Sequence, residues 1–176
     1  MKAADGRSRA SGRTAPIFEE EQALPLGWVL LTLTVSLVLL GAALLSGEEL
    51  EAGEVALWVG LLLAFTIWLR RISLVTRVGS DEVTLHFRGL FKTRTVPIST
   101  IRQAQMRRYR PLMEYGGWGI KLGPSGWAYN VKGNEGVQLK LNENKSLLIG
   151  SQRASELAEA ITSSSRYRPA GRQEPH

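Results

Sequence analysis

Residues 114–136 read EYGGWGIKLGPSGWAYNVKGNEG, and the fold turns on what this run is. It holds seven of the chain's eighteen glycines, two of its five tryptophans and two of its four tyrosines. A phosphate-cradling loop needs glycines between a strand and a helix N-terminus, where backbone N–H groups converge on the anion. Here Gly117, Gly119 and Gly123 are spaced G-x-G-x-x-x-G, and a turn and another strand follow, so nucleotide binding is disfavoured. The alternation is that of strands: Trp118, Ile120 and Leu122 share one face, and Trp127, Tyr129 and Val131 share another. Gly123-Pro124-Ser125-Gly126 and Gly133-Asn134-Glu135-Gly136 are turns by composition. The run is therefore two strands and two hairpin turns. Gly117 and Gly119 leave one strand face nearly bare, which lets Tyr115, Tyr129 or a partner's backbone come close.

The same period extends on both sides. Val83, Leu85 and Phe87 alternate with Thr84, His86 and Arg88, a turn follows, and LFKTRTV runs back. Pro97 interrupts, and ISTIRQAQMRRYR continues with Ala104 and Met106 on one face. Residues 111–115 are expected to be a loop. Downstream, Val137, Leu139 and Leu141 alternate, 142–145 turns, and SLLIG closes the series. The period then changes. Ala154, Leu157, Ala158 and Ile161 fall at i, i+3, i+4 and i+7, one face of a helix, with Ser151 as its N-cap. The expectation is seven or eight short antiparallel strands and one amphipathic helix plugging the open end of a bent sheet. Residues 1–23 and 163–176 lack apolar periodicity and are expected to be disordered tails.

Between the first tail and the sheet lie two apolar runs. Leu26–Leu45 is twenty residues without a charge, enough to cross ~30 Å of hydrocarbon at ~1.5 Å per residue. The second, 55–69, is fifteen residues, short of the ~17 usually needed, but Arg70 and Arg71 can snorkel at its boundary and Trp58 and Trp68 suit an interface. Both read as transmembrane helices, the first retained rather than cleaved, with a buried or interfacial helix as the alternative for the second. The link 46–54 carries four glutamates and no base, and bases follow the second run. The positive-inside rule then puts both termini in the cytoplasm. Residues 70–176 hold eighteen Lys or Arg against eight Asp or Glu. That excess fits either tethering to an anionic leaflet or simple solubility.

Catalytic constellations are missing from the pattern. The absence of cysteine excludes disulfides and thiolate metal sites. His86 alternates outward, His176 ends the chain, no His/Asp/Glu group has metal spacing, and Ser125 is not in a G-x-S-x-G elbow. No cofactor or metal is expected, and the chain reads as no enzyme. Arg107, Arg108 and Arg110 form the densest basic cluster, which is either a solvated strand end or a contact for an anionic headgroup or acidic partner; a membrane tether argues against nucleic acid. For Trp118 and Trp127, core packing is expected, and an exposed patch dipping into the bilayer or gripping a peptide is the alternative.

The words YGGWGI (115–120), GWAYNV (126–131), GNEGVQL (133–139) and IGSQRASELAEAI (149–161) carry a resemblance. Residues 72–162 resemble the pleckstrin-homology (PH)-like domains of bacterial membrane proteins, which commonly follow a short transmembrane hairpin, in a family without an established reaction. The resemblance implies a PH-like antiparallel barrel of seven or eight strands with a C-terminal helix. The phosphoinositide pattern K-x(n)-[KR]-x-R of eukaryotic PH domains has its nearest counterpart in Arg88 with Lys92-Thr93-Arg94, on the second and third strands rather than the first two. The expected function is non-enzymatic: a hairpin in a bacterial inner membrane presenting a cytoplasmic domain to membrane lipids, an unidentified membrane or cytoplasmic protein, or a second copy. The alternatives are an accessory subunit of a transporter or membrane enzyme, and an enzyme with an unrecognised site.

Overall fold

The computed structural model describes residues 15–47, 51–164 and 167. Among the described residues two long helices, α1 (Leu26–Leu45) and α2 (Ala52–Arg71), stand on a domain of nine strands and two short helices. Both long helices are twenty residues, long and apolar enough to cross a membrane. The shortfall expected of the second run is made up at its ends. Ala52, Gly53 and Glu54 join its first turn and Arg70 and Arg71 its last, acids and bases at the ends the helix dipole favours. Val29 is the only buried residue of α1, and α2 has none. Their apolar surface therefore faces outward, the reverse of a soluble core helix. Of the acidic link, Glu48 and Glu49 lie outside the described residues.

The domain has two sheets. The first runs in the order β1 (Phe18–Ala23), β2 (Ser73–Val78), β3 (Glu82–Arg88), β4 (Lys92–Pro97), all antiparallel. A single 3-10 turn at Ile98–Thr100, with Ile98 and Ile101 fully buried, turns the corner into the second sheet. That sheet is ordered β5 (Ile101–Arg108), β8 (Glu135–Leu141), β9 (Ser146–Gly150), β7 (Gly126–Asn130), β6 (Gly119–Gly123). The core lies between the sheets. It joins Leu74, Leu85, Phe87 and Val96 to Tyr129, Val137, Leu139, Leu147 and Ile149, and Leu157 and Ile161 of α4 (Ala154–Thr162) close it. The residues 111–115, expected as a loop, form a short helix, α3 (Pro111–Tyr115), with proline at its first position and Gly116 left-handed at its end.

Three expectations are corrected. The domain is nine strands in two sheets that do not close, rather than an antiparallel barrel of seven or eight. One pairing, β7 with β9, is parallel. The cause is edge occupancy: β8 has two edges, taken by β5 and β9, so the β6–β7 hairpin adds to the far side of β9 instead. β7 runs opposite to β8, as β9 does, and is thereby parallel to β9.

The second correction concerns the first tail. Residues 18–23 are not disordered; they are β1, in register with β2 from Phe18↔Val78 to Ala23↔Ser73. Burial alternates, with Phe18, Glu20 and Gln22 inward and Glu19 and Glu21 outward. Outward, Glu19 pairs with Arg77 and Glu21 with Arg88, each at 2.7 Å. Inward, Glu20 accepts bonds from the Ser151 hydroxyl and, at 2.8 Å, from the Gln152 N–H, while Gln22 Nε2 donates to the Gly150 carbonyl at 2.8 Å. The segment before α1 thus clasps the start of α4. The helix begins at Ala154, later than an N-cap at Ser151 would place it, and Ser151 Oγ accepts from the Arg153 N–H. Residues 1–14 lie outside the described residues.

The third correction is at the other end, where the expected tail begins in place. Ser164 is buried, and Tyr167 packs against the core. The remainder from 165 lies outside the described residues.

Candidate functional site

The site is built where the long helices meet the domain. β1 runs into α1 and α2 runs into β2, so the helix pair grows from the turn end of one antiparallel strand pair. Trp28 is in the first turn of α1, and Trp68 and Leu69 are in the last turn of α2. Opposite them stands the glycine run. Between the two is a cavity of about 400 Å³, lined by Trp28, Trp68, Leu69, Leu112, the backbone of 116–119, Lys121 and Asn130. Its size is within the ~300–1,000 Å³ of ordinary ligand sites.

The glycines shape this wall by conformation. Gly116, Gly117 and Gly119 have φ of 67°, 122° and 120°, values that side chains resist. A Cβ at Gly116 or Gly117 would meet nothing within 4 Å. These positions therefore need glycine for their backbone and look onto open space. The expected close approach of Tyr115 or Tyr129 to Gly117 and Gly119 is not found.

Trp118 stacks edge-on against Trp28, centroids 6.4 Å apart at 78°, and its indole N–H donates to the Gly133 carbonyl at 3.1 Å. It is half-buried at the helix–domain junction instead of lying in the core. Trp127 is 43% exposed beside Leu122, its partner across the β6–β7 hairpin. Neither tryptophan is a core residue. Of the expected face, Tyr129 and Val131 do enter the core.

Asn130 fixes the wall from behind. It is fully buried, accepts from the Gly119 N–H at 2.9 Å and donates to the Tyr109 hydroxyl at 3.1 Å. Tyr109 and Tyr115 pack edge-to-face at 6.0 Å with Ala128 and Leu148 as a second small core outside the sheet. Burial pushes both phenols above their ordinary pKa; for Tyr109 the Asn130 bond, and for Tyr115 the Arg107 charge, pulls the other way.

The basic cluster is divided by that packing. Buried Tyr109 separates Arg108 from Arg110. Arg107 is turned to the Glu114 carboxylate, with Ser125 Oγ and Gln138 Oε1 beyond it at 3.4 and 3.5 Å. Arg108 pairs with Glu135 at 3.2 Å. Arg110 has no ion-pair partner among the described residues; it borders a shallow recess with Leu112, Met113 and Trp118. Arg94 lies over the Tyr129 ring at 5.7 Å, bridging the sheets, while Lys92 stays exposed. The five cations therefore make no single patch. Lys121, Trp28 and Asn130 were missed by sequence reasoning; only the alternation of Lys121 with Ile120 and Leu122 hinted at its outward aim.

For chemistry the site offers one cation, an amide already engaged, aromatic edges and apolar walls. His86 is elsewhere, its Nδ1 2.7 Å from Thr93 Oγ1. Among the described residues no group of three His, Asp or Glu could hold a metal. No protein-family model and no curated protein matches the chain.

Proposed function

We propose that the chain is a non-enzymatic membrane protein whose PH-like domain holds an anionic amphiphile of the bilayer in the cavity at the helix–domain junction. α1 and α2 are its membrane spans, and the domain lies on the cytoplasmic side of a bacterial inner membrane. The observation that carries the reading is the composition of the cavity. Its walls come from both long helices and from the glycine run, they are apolar and aromatic, and Lys121 is the one cation among its lining residues. A lipid chain already in the bilayer would reach such a cavity without crossing water, and its phosphate would meet an ammonium that has no ion-pair partner among the described residues. The two-sheet plan with a corner between β4 and β5 and a closing C-terminal helix supports the PH-like reading, with the β6–β7 hairpin as an addition at one edge.

The test is co-purification. The full chain is extracted in mild detergent and its retained phospholipid is quantified by mass spectrometry, for wild type, Lys121→Glu and Lys140→Glu. Lys140 is an exposed lysine of β8 outside the cavity and controls for net charge. Selective loss of anionic lipid in Lys121→Glu is expected. Equal retention in all three refutes the reading.

A second reading has its own observation. A groove of about 300 Å³ between α1 and α2, lined by Ser36, Leu39, Ala43, Val55, Trp58 and Leu62, is open along the helix pair. A helix of a larger membrane complex would fit it, which makes the chain an accessory subunit. Exchanging only residues 31–65 for an unrelated apolar pair, which keeps Trp28, Trp68 and Leu69 of the cavity, would abolish function only in that case.

A further inference from the structure

Two apolar projections lie beside the ends of the long helices, and neither is explained by the cavity. The first is the β3–β4 turn, Gly89-Leu90-Phe91. β2 leaves the end of α2 and β3 returns, so this turn comes back to the level where α2 ends. A Cβ on Gly89 would sit 3.0–3.3 Å from Ile72 and the Arg71 carbonyl, which places the turn directly against the end of α2. Leu90 lines the cavity with Trp68. Phe91 is 91% exposed and has φ +51°. A bulky residue rarely takes that conformation, and here it holds a phenyl ring out of the fold.

The second projection is α3. Leu112 lines the same cavity and is 65% exposed; Met113, beside it, is 81% exposed. Each projection is two large apolar side chains with a cation close by in sequence: Lys92 directly follows Phe91, and Arg110 is separated from Leu112-Met113 by Pro111. Among the described residues neither cation is in an ion pair. This is the order of groups met on passing from acyl chains to phosphates.

We propose that Leu90–Phe91 and Leu112–Met113 are two feet that sink into the acyl–headgroup boundary of the bilayer the helices cross, with Lys92 and Arg110 at the phosphate level. The occupant of this surface is the lipid bilayer itself. Continuity with the helix ends and the flanking charges choose it over a protein. The feet seat the domain at two points besides the helices, which fixes its tilt and holds the mouth of the cavity at lipid depth. The seat does not depend on whether the cavity takes a lipid.

The chain has no cysteine, so single-cysteine labels are unambiguous. Phe91→Cys, Met113→Cys and Ser80→Cys are each made in the full chain, labelled with an environment-sensitive fluorophore and reconstituted in vesicles of mixed zwitterionic and anionic phospholipid. Ser80 is the control: it lies in the β2–β3 turn, at the opposite end of those strands from the feet. Quenching by lipids brominated high on the acyl chain should be several-fold stronger at 91 and 113 than at 80, and aqueous iodide should show the reverse order. Labels at 91 and 113 as open to iodide as the one at 80 overturn the proposal. So does quenching at only one foot, and so does protection from both quenchers that depends on protein density, which would mean a protein covers the surface.

Discussion

The clasp between β1 and α4 makes the long helices an insertion in a hairpin, and this can be tested by removing them. Leu24 N–H donates to the Ile72 carbonyl at 3.3 Å, immediately beyond the Ala23↔Ser73 pair. Replacing residues 25–71 by Asn-Gly, the residues a two-residue type I′ turn prefers, should give a domain that folds without a membrane. Its stability should then depend on Glu20. That carboxylate is 8% exposed and holds the Ser151 hydroxyl and the Gln152 N–H. Bonds to a charged group contribute ~1.5–3 kcal/mol, and a buried donor left alone costs ~1–3 kcal/mol. Glu20→Ala should therefore cost roughly 2–4 kcal/mol. Against a total of ~5–15 kcal/mol this is large. In urea, with a slope of ~1–3 kcal/mol/M, the midpoint should fall by roughly 1–2 M. Far-UV circular dichroism reads the transition. Glu20→Gln, which keeps one of the two acceptor oxygens and loses the charge, should lie between. An unchanged midpoint in Glu20→Ala refutes the clasp. A chain of 72–164 alone that unfolds as cooperatively as the joined one would show that β1 is dispensable.

Two further outcomes can be read on the same joined domain. Gly126 has φ +89°, and a Cβ there would sit 2.3 Å from the Ser146 carbonyl oxygen, whereas one at Gly117 would meet nothing within 4 Å. Gly126→Ala adds a backbone collision to the backbone strain and should cost roughly 3–5 kcal/mol, while Gly117→Ala bears only the ~1–3 kcal/mol of strain; equal midpoints would refute the β7–β9 packing. The Tyr109 and Tyr115 phenols are raised by burial, so the unfolded chain ionises first as pH climbs. Stability should be complete below about pH 10 and fall above it, and urea midpoints at about pH 9 and about pH 11 should show the drop. A higher midpoint at the alkaline value would contradict the burial.

What could be read from the chain was local. The twenty-residue apolar run, the alternation of Val137, Leu139 and Leu141, and the turn glycines each carry their signal within a few residues, and each element formed near where it was expected. β1 carried none. FEEEQA places three acids in a row, and Glu20 points inward only because Ser151 and Gln152, more than a hundred residues away, await it. The tryptophans failed for a related reason. Period two assigns Trp118 and Trp127 to a face but cannot say whether anything covers that face, and Trp127 stays half-exposed while Trp118 meets Trp28 of α1. Likewise the run RRYR reads as a basic cluster until Tyr109 is seen to be buried, with Arg107 turned to Glu114 and Arg108 to Glu135.

Those misses share a location. Trp118, Lys121, the 116–119 backbone and Leu112 matter because α1 and α2 end beside them, and β1 matters because it returns the chain to the domain before α1 begins. A helix pair attached by one flexible linker would leave the domain free to turn relative to the pair. Here both ends of the pair continue into adjacent strands of one sheet, so the domain's orientation is set by the strand register. With that register, the glycine run and both apolar projections come to the level of the helix ends together. The clasp at Glu20 is thus a condition for the cavity as well as for the fold. Breaking it should loosen the seat of the domain before it disturbs α1 and α2, whose outward-facing residues need nothing from it.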